Sequence, residues 1–507
     1  MQEKIKQNMQ KAIVIGSGFS GLSSASFLAK QGFDVTVLEK HDMPGGRARK
    51  YSEKGFTFDM GPSWYWMPDV FERYFAQFGK KPSDYYQLER LDPSYRVFWG
   101  KNDFTDLPAN YEEFRNLFES IEKGSAAKLD EFLAEAAYKY DAGINDLVHK
   151  PGRSIMEFAN FKVLSGLIKL DLLQSFHTHI RKFFKEPRLL QLIEFPVLFL
   201  GAVPQNTPAL YSLMNYADIK LGTWYPIGGM YKVVEGMYQL ATELGVKFEF
   251  NCDVQKLEVN DGIVYRVITN KEVFVADVVV ASADYHHVET KLLDKKYRSY
   301  SDDYWEKRVM APSSLIYYVG LNKKISKVLH HTLVFDKPFD KHAKEIYETP
   351  QWPTEPLLYL SCTSQTDNTV APEGHEALFI LIPVAPGLND TEEIREKYFN
   401  LAIDRLEENL GENLRDHVVY KRSYAHSNFI NDYNSFKGNA YGLANTLMQT
   451  AILKPSLKSK KIKNLFYTGQ LTVPGPGVPP SLISGEVVAK EVVKEFSNTK
   501  FKSYAIV

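Results

Sequence analysis

The sequence is poor in cysteine, in charge of one sign and in long hydrophobic runs, and each shortage excludes a class of protein. Its 507 residues include only Cys252 and Cys362, which are too few for a disulfide framework or a multi-cysteine zinc site. Lysine and arginine number 61 against 62 acidic residues, so the charge balance suggests no nucleic-acid partner. No run reaches the roughly 18 apolar residues that span a bilayer. We therefore expect a reducing, cytoplasmic location and no membrane-crossing segment.

Histidine pairs are the remaining candidates for a metal site. They are His177 with His179, His286 with His287, and His330 with His331. Adjacent histidines point in different directions, and none of the pairs has a carboxylate at a recognisable ligand spacing. The sequence therefore predicts no metal.

A glycine-rich turn near the N-terminus is the first positive signal. A β-branched run over residues 11–16 precedes the turn, and a helical pattern over residues 18–32 follows it. In such a turn Gly16 permits a tight bend, Gly18 admits a pyrophosphate, and Gly21 allows close helix–strand packing. After the next strand comes Glu39, placed to accept hydrogen bonds from a ribose diol. The predicted dinucleotide contacts in this region are Gly16, Gly18, Phe19, Ser20, Gly21, Glu39 and Lys40.

Four later segments extend the predicted cofactor site. Arg47 of a Gly-Gly-Arg sequence offers a planar donor to a phosphate or a carbonyl, whereas Arg49 is either a similar donor or a solvated strand residue. Val254 is expected at the end of a strand, where its backbone covers an adenine. A Gly/Pro-rich loop before the last helix points a helix N-terminus at developing negative charge. The predicted contacts are Gly46, Arg47, Gly61, Pro62, Ser63, Val254, Gly469, Gly477, Val478 and Pro479.

The order of these patterns predicts an α/β protein with a discontinuous Rossmann-like domain. Nucleotide-binding patterns occur at the start, the middle and the end of the chain, which places that domain at residues 10–75, 222–290 and 440–497. An inserted α+β substrate domain is expected at residues 76–221 and 291–439. Residues 70–220 have the pattern of long helical stretches.

Together these motifs resemble the FAD-dependent amine oxidase and phytoene desaturase superfamily, and within it the bacterial, Bacteroidetes-like phytoene desaturases (carotenoid desaturases). The resemblance rests on the opening turn, Gly45-Gly46-Arg47, residues 58–64 and residues 468–480. The last of these departs from the commoner family form, which has Gly-Thr-His-Pro-Gly where this chain has Gln470 to Gly475. The resemblance implies FAD as cofactor and the desaturation of phytoene to lycopene.

A polyene substrate implies a particular chemistry. Its saturated carbons are not acidic, so hydride transfer from an allylic carbon to a flavin precedes loss of the neighbouring proton, and the cofactor carries the difficult step. Asp59 is the one weak candidate for a proton acceptor, with a structural turn as its other interpretation. The aromatic residues Trp64, Tyr65 and Trp66 either line an apolar channel or pack in a core.

A hydrocarbon substrate also implies contact with a membrane. We expect peripheral association with the inner face of the cell membrane, and a quinone or oxygen as electron acceptor. Residues 158–184 mix apolar and basic side chains, which fits either an interfacial helix or an ordinary packed one.

Several other functions remain open from the sequence. One is desaturation of another carotenoid, such as a hydroxycarotenoid or diapophytoene, and others are a flavin-dependent carotene isomerase or an amine oxidase. A non-enzyme alternative is a flavin-less escort protein for prenylated partners. Such a protein would be expected to lose Gly-Gly-Arg or the C-terminal loop, and both are present here.

Overall fold

The computed structural model describes residues 9–154, 157, 174–198 and 203–498. The strands in these ranges are β1 Lys11–Ile15, β2 Asp34–Leu38, β3 Lys50–Glu53, β4 Phe56–Asp59, β5 Leu88–Arg90, β6 Tyr95–Gly100, β7 Asp103–Leu107, β8 Trp224–Pro226, β9 Lys247–Glu249, β10 Val254–Asn260, β11 Ile263–Thr269, β12 Val273–Val275, β13 Val278–Ala281, β14 Ser313–Leu321, β15 His331–Val334, β16 Leu358–Cys362, β17 Glu376–Val384, β18 Val418–Tyr424 and β19 Leu465–Tyr467.

The helices in the same ranges vary from a single turn to 21 residues. They are α1 Phe19–Lys30, α2 Pro68–Ala76, α3 Tyr111–Ile121, α4 Ser125–Asn145, α5 Phe176–Ile180, α6 Pro187–Leu198, α7 Leu213–Tyr216, α8 Tyr231–Glu243, α9 Tyr285–His287, α10 Asp302–Glu306, α11 Phe339–Tyr347, α12 Glu392–Leu410, α13 His426–Tyr433 and α14 Val478–Asn498.

A five-stranded parallel sheet forms the Rossmann-like part of the fold. Its order is β9-β2-β1-β13-β19, and every neighbouring pair is parallel. The central strands are buried β-branched runs, as expected of a parallel sheet covered on both faces. The strands come from the start, the middle and the end of the chain. The predicted α/β class with a Rossmann-like fold is confirmed.

The first and last helices pack against each other beside this sheet. Ser23 Oγ of α1 donates a hydrogen bond to the Leu482 carbonyl oxygen of α14 at 2.7 Å. Gly485 allows the close approach, because a Cβ there would lie 2.8 Å from the Ser24 backbone nitrogen. The contact holds the C-terminal loop next to the N-terminal glycine turn.

A seven-stranded mixed sheet forms the second part of the fold. Its order is β18-β14-β17-β16-β15-β6-β7; only the β15–β6 pair is parallel among its described strands. β14 is buried along its whole length, and apolar clusters cover both faces of the sheet. The expectation of helices throughout residues 70–220 is wrong, because β6 and β7 lie in that range and complete this sheet. β6 pairs with β15, more than 200 residues away, and no local pattern reports such a partner.

The strands of the two sheets follow the expected division of the chain, but the domain boundaries themselves stay a prediction. Of the predicted amphipathic segment 158–184, residues 158–173 lie outside the described residues. In its described remainder Phe176, Ile180 and Phe184 are buried. None of the described helices is both long enough and apolar enough to cross a bilayer.

The Gly485 contact gives a first prediction. Gly485→Ala is expected to lower the free energy of unfolding by about 1–3 kcal/mol, because the added methyl would lie 2.7 Å from Ser23 Cβ. Alanine otherwise favours a helix over glycine by about 1 kcal/mol, so a loss would report the packing. The measurement is chemical denaturation. Gly100→Ala is the control, since a Cβ there meets no described atom within 4 Å; equal stability of both variants would contradict the prediction.

Candidate cofactor site and adjoining cavity

The glycine turn after β1 has the geometry that the sequence predicts. Gly16 adopts a φ of +96°, which favours glycine. A Cβ at Gly21 would overlap the Gly16 carbonyl oxygen, so α1 begins directly against the turn. At Gly18 an added Cβ would meet no described atom within 4 Å. Gly18 also lines a large cavity, so its missing side chain leaves room for a ligand rather than for the protein.

Glu39 lies at the end of β2, where it closes the same cavity. Its carboxylate accepts hydrogen bonds from Ser17 N at 2.8 Å, from Ser17 Oγ at 2.5 Å and from His41 N at 2.9 Å. These bonds hold the buried carboxylate at the cavity wall. Lys40 also lines the cavity, and its Nζ donates to the Asn431 carbonyl oxygen at 2.6 Å.

Two backbone segments stack on the glycine turn. Gly45 N donates to the Ser17 carbonyl oxygen at 2.9 Å, and a Cβ on Gly46 would lie 3.4 Å from Gly18 Cα. A Cβ on Gly61 would overlap the Arg47 carbonyl oxygen. The predicted contacts Gly46, Arg47, Gly61, Pro62 and Ser63 are therefore brought together, and all five line the cavity.

The Arg47 guanidinium is buried at the cavity wall. Its Nη2 donates to Ser435 Oγ at 2.9 Å, while its Nε has no hydrogen-bond partner among the described residues. Burial is the largest influence and lowers the pKa of Arg47, and the Asp284 carboxylate opposes that effect. Burial likewise raises the pKa of Asp284 to about 6. A buried donor without a partner is costly, so Arg47 Nε fits a site for a polar ligand.

The C-terminal loop completes the wall of the cavity. Gly469 N donates to Ser484 Oγ of α14 at 3.0 Å, and a Cβ on Gly469 would lie 3.1 Å from Ser20 Oγ. Gly477 has a φ of +108°, and α14 begins directly after it at Val478. The predicted contacts Phe19, Ser20, Gly469, Gly477, Val478 and Pro479 all line the cavity.

Val254 is placed differently from the prediction. It begins β10, whereas the prediction put it at the end of a strand, because β9 already ends at Glu249. It nevertheless lines the cavity together with Cys252 and Asp253.

The contacts of Asp59 fit its structural interpretation. Its carboxylate accepts hydrogen bonds from Met230 N at 2.7 Å and from Tyr231 N at 3.0 Å, at the start of α8. Gly229 makes room for it, since a Cβ there would lie 2.9 Å from Asp59 Oδ2. Asp59 is not among the described residues that line the cavity. These contacts favour the structural interpretation, and the catalytic role of Asp59 stays an untested prediction.

The same cavity continues past the cofactor loops into an apolar region. Trp64 and Trp66 line it, whereas Tyr65 is fully buried with its hydroxyl 3.0 Å from that of Tyr86. The two interpretations of the aromatic segment thus hold for different residues. The other apolar lining residues include Phe195, Met214, Ile316, Leu333, Phe335, Phe339, Ile346, Leu357 and Leu381.

Several lining residues were missed from the sequence. Ser282 follows β13, at the same edge of the parallel sheet as Gly16 and Glu39, so its position after a buried strand was a usable signal. Asp284 follows it. Tyr359, by contrast, comes from β16 of the other sheet and had no local signal.

Comparisons with known proteins agree with this geometry. The family model described as flavin containing amine oxidoreductase matches residues 19–493. The chain therefore belongs to the flavin-containing amine oxidoreductase family, and FAD is its cofactor.

Two relatives show which enzymes of the family this chain resembles. A carotenoid 3,4-desaturase of Haloarcula japonica is 40% identical over 96% of this chain and 98% of that protein. A zeta-carotene-forming phytoene desaturase of Myxococcus xanthus is 32% identical over 96% of this chain and 94% of that protein. The predicted resemblance to carotenoid desaturases is confirmed, while the Bacteroidetes-like character stays a prediction.

A solved structure shows the same fold. An oxidoreductase from Methanosarcina mazei superimposes with a TM-score of 0.63 at 16% identity, covering 95% of this chain and all of that one.

The residues at the cavity wall fit FAD. The open space at Gly18, the positive end of α14 and the unpartnered Arg47 Nε suit its phosphates and carbonyls, and Glu39 suits its ribose. When bound there, the flavin supplies a two-electron oxidant that accepts hydride.

The space at Gly18 gives a second prediction. Gly18→Val is expected to weaken FAD binding by about 10- to 100-fold, because the side chain occupies ligand space and its Cβ meets no described atom within 4 Å. The ordinary φ of −70° at Gly18 tolerates any residue. The measurement is the flavin content of purified protein, with thermal unfolding of the FAD-free forms as the control. Wild-type flavin content in the variant would contradict the role of Gly18.

Asp59 gives a third prediction, on pH. Burial raises its pKa from 3.8 to about 6, so the folded protein binds the proton more tightly than the unfolded chain does. Stability is therefore expected to fall as pH rises from about 4 to about 6, by about 3 kcal/mol from this group. Asp59→Asn should reduce that slope in denaturation experiments across this range. An unchanged slope would contradict the assignment, because other buried acids are common to both proteins.

Proposed function

We propose that this protein is an FAD-dependent carotenoid desaturase that converts phytoene to lycopene. The observation that carries the proposal is one continuous cavity, lined by the dinucleotide loops and also by tryptophan, phenylalanine and aliphatic side chains. A long, uncharged polyene needs such an apolar site beside a redox cofactor. The names of the relatives from Haloarcula japonica and Myxococcus xanthus support the same substrate class.

His342 in the cavity wall offers no hydrogen bond to a hydroxylated substrate, which favours a hydrocarbon beside it. His342 lines the cavity, but its Nε2 is 2.8 Å from the Pro383 carbonyl oxygen and its Nδ1 accepts from Leu357 N at 3.0 Å. Both ring nitrogens are therefore engaged within the protein. A substrate hydroxyl placed beside His342 would gain no hydrogen bond and would lose its hydration.

Desaturation of another carotenoid is the second candidate. The relative with 40% identity bears the name carotenoid 3,4-desaturase, which supports desaturation of a carotenoid other than phytoene. The same cofactor site serves both reactions, so the substrates themselves must distinguish them.

The insolubility of the substrate sets where the enzyme works. A carotenoid hydrocarbon partitions into the bilayer, so we propose peripheral association with the inner face of the cell membrane, and a quinone or oxygen as electron acceptor. The protein then has to transfer substrate from lipid into the apolar cavity.

The fourth prediction tests the reaction. Expression in a host that accumulates phytoene is expected to yield red lycopene, identified by chromatography of extracted pigments, and the purified protein should be yellow. Gly18→Val is the matched control, because it is expected to fold and to lose flavin. Colourless phytoene with a flavin-loaded protein would refute phytoene as substrate. A second host that makes hydroxylated carotenoids tests the alternative, which predicts extension of that conjugation instead.

A further inference from the structure

A chain of three polar side chains runs from the cavity wall into the protein. Ser63 Oγ lies 2.7 Å from the Tyr359 hydroxyl, which lies 2.8 Å from His331 Nδ1. Ser63 and Tyr359 line the cavity, and Ser63 directly follows the Gly61-Pro62 turn of the cofactor site. The chain therefore connects the cavity wall beside the cofactor loops with a buried imidazole.

The surroundings of His331 keep that imidazole neutral. The side chain is fully buried, and its ring stacks on Trp64 with centroids 4.0 Å apart and planes 10° from parallel. Burial, followed by the neighbouring His330, lowers the pKa of His331 well below its ordinary value of 6.5. Its Nε2 has no hydrogen-bond partner among the described residues. In the neutral tautomer that carries its proton on Nε2, the Nδ1 lone pair accepts the hydrogen bond of the Tyr359 hydroxyl and can receive its proton, while Trp64 holds the ring in place.

The reaction requires an acceptor of this kind. Desaturation removes a hydride from one carbon and a proton from its neighbour, and Asp59 is committed to the start of α8. After hydride loss the substrate cation is delocalised and strongly acidic. A weak base is therefore sufficient inside this apolar cavity. A stronger, charged base would be poorly solvated there.

We propose that Ser63, Tyr359 and His331 form the route by which the proton leaves the substrate. FAD, when bound, would supply the two-electron oxidant for the hydride, and the electron pair of the neighbouring C–H bond becomes the second bond of the new C=C. The Ser63 hydroxyl receives the substrate proton and passes its own proton to the Tyr359 oxygen. Tyr359 in turn gives its hydroxyl proton to His331 Nδ1. Ser63 and Tyr359 are thus catalytic residues, and His331 acts through Tyr359. The proton returns to solvent along the same hydroxyls when product leaves.

The inference rests on the proposed desaturation, and the fifth prediction tests it with whichever carotenoid the wild type desaturates. Tyr359→Phe and His331→Gln are each expected to lower turnover per bound FAD by about 100-fold or more. Glutamine retains an acceptor for the Tyr359 hydroxyl but is not a base. If the wild-type protein does not act on phytoene, only lycopene formation is refuted. The proton route is tested separately, by the ratio of variant turnover to wild-type turnover.

A control variant separates this role from general damage. Tyr317→Phe removes a buried hydroxyl from β14 of the same sheet, two strands from β16, where it donates to the Arg395 carbonyl oxygen at 2.6 Å, away from the cavity. Turnover per bound FAD should remain at the wild-type value in this variant. Flavin absorbance of each purified protein reports whether the cofactor site is intact.

Two further readouts would not respond to a merely structural role. Deuterium at the carbon that loses the proton should slow Tyr359→Phe more than wild type, because proton removal becomes rate-limiting. The double variant Tyr359→Phe/His331→Gln should be no slower than the slower single variant, since both act on one route. Wild-type turnover in either single variant, an unchanged isotope effect, or multiplied losses in the double variant would overturn the proposal.

Discussion

The close contact between the first and last helices is the constraint on which the site depends. Gly485 lets α14 lie against the backbone of α1, and Ser23 fastens the two helices by a hydrogen bond to Leu482. Ser484 of α14 then holds Gly469 N. Two loops separated by more than 450 residues in sequence therefore share one cavity wall. Without this contact the N-terminal glycine turn would form only half of the cofactor site, because the positive end of the α14 dipole belongs to the other half.

The cofactor wall is built mainly from backbone. The Gly-Gly-Arg segment rests on Gly18, and Gly61 rests on the Arg47 carbonyl oxygen. Gly61 approaches Arg47 more closely than a side chain would permit, whereas an added Cβ on Gly46 would be in van der Waals contact with Gly18. This explains why the most informative sequence signals were glycines. It also explains the place of Asp59, which fixes α8 behind these layers instead of entering the cavity.

The exclusion of water from buried groups explains the remaining features of the site. Burial lowers the pKa of Arg47 and of His331 and raises that of Asp284, because each charged form loses hydration. An apolar cavity binds a polyene for the same reason that it disfavours charge. Such a cavity suits a reaction in which the cofactor oxidises an uncharged substrate and a neutral group then accepts the proton. The hydroxyl chain beginning at Ser63 meets that requirement without a buried carboxylate.

The sequence by itself determined the features that a few adjacent residues encode. The turn from Gly16 to Gly21, the acid at Glu39 and the Gly-Gly-Arg segment each follow from a strand, a turn and a helix that are neighbours in the chain. Tertiary structure alone decided what depends on distant partners. It placed β6 and β7 in a sheet where a helical pattern was expected, and moved Val254 to the start of a strand. It also joined Ser63 to Tyr359 across 296 residues. Local patterns record backbone preference and exposure, whereas the partner of a buried hydroxyl is chosen only when both sheets are packed.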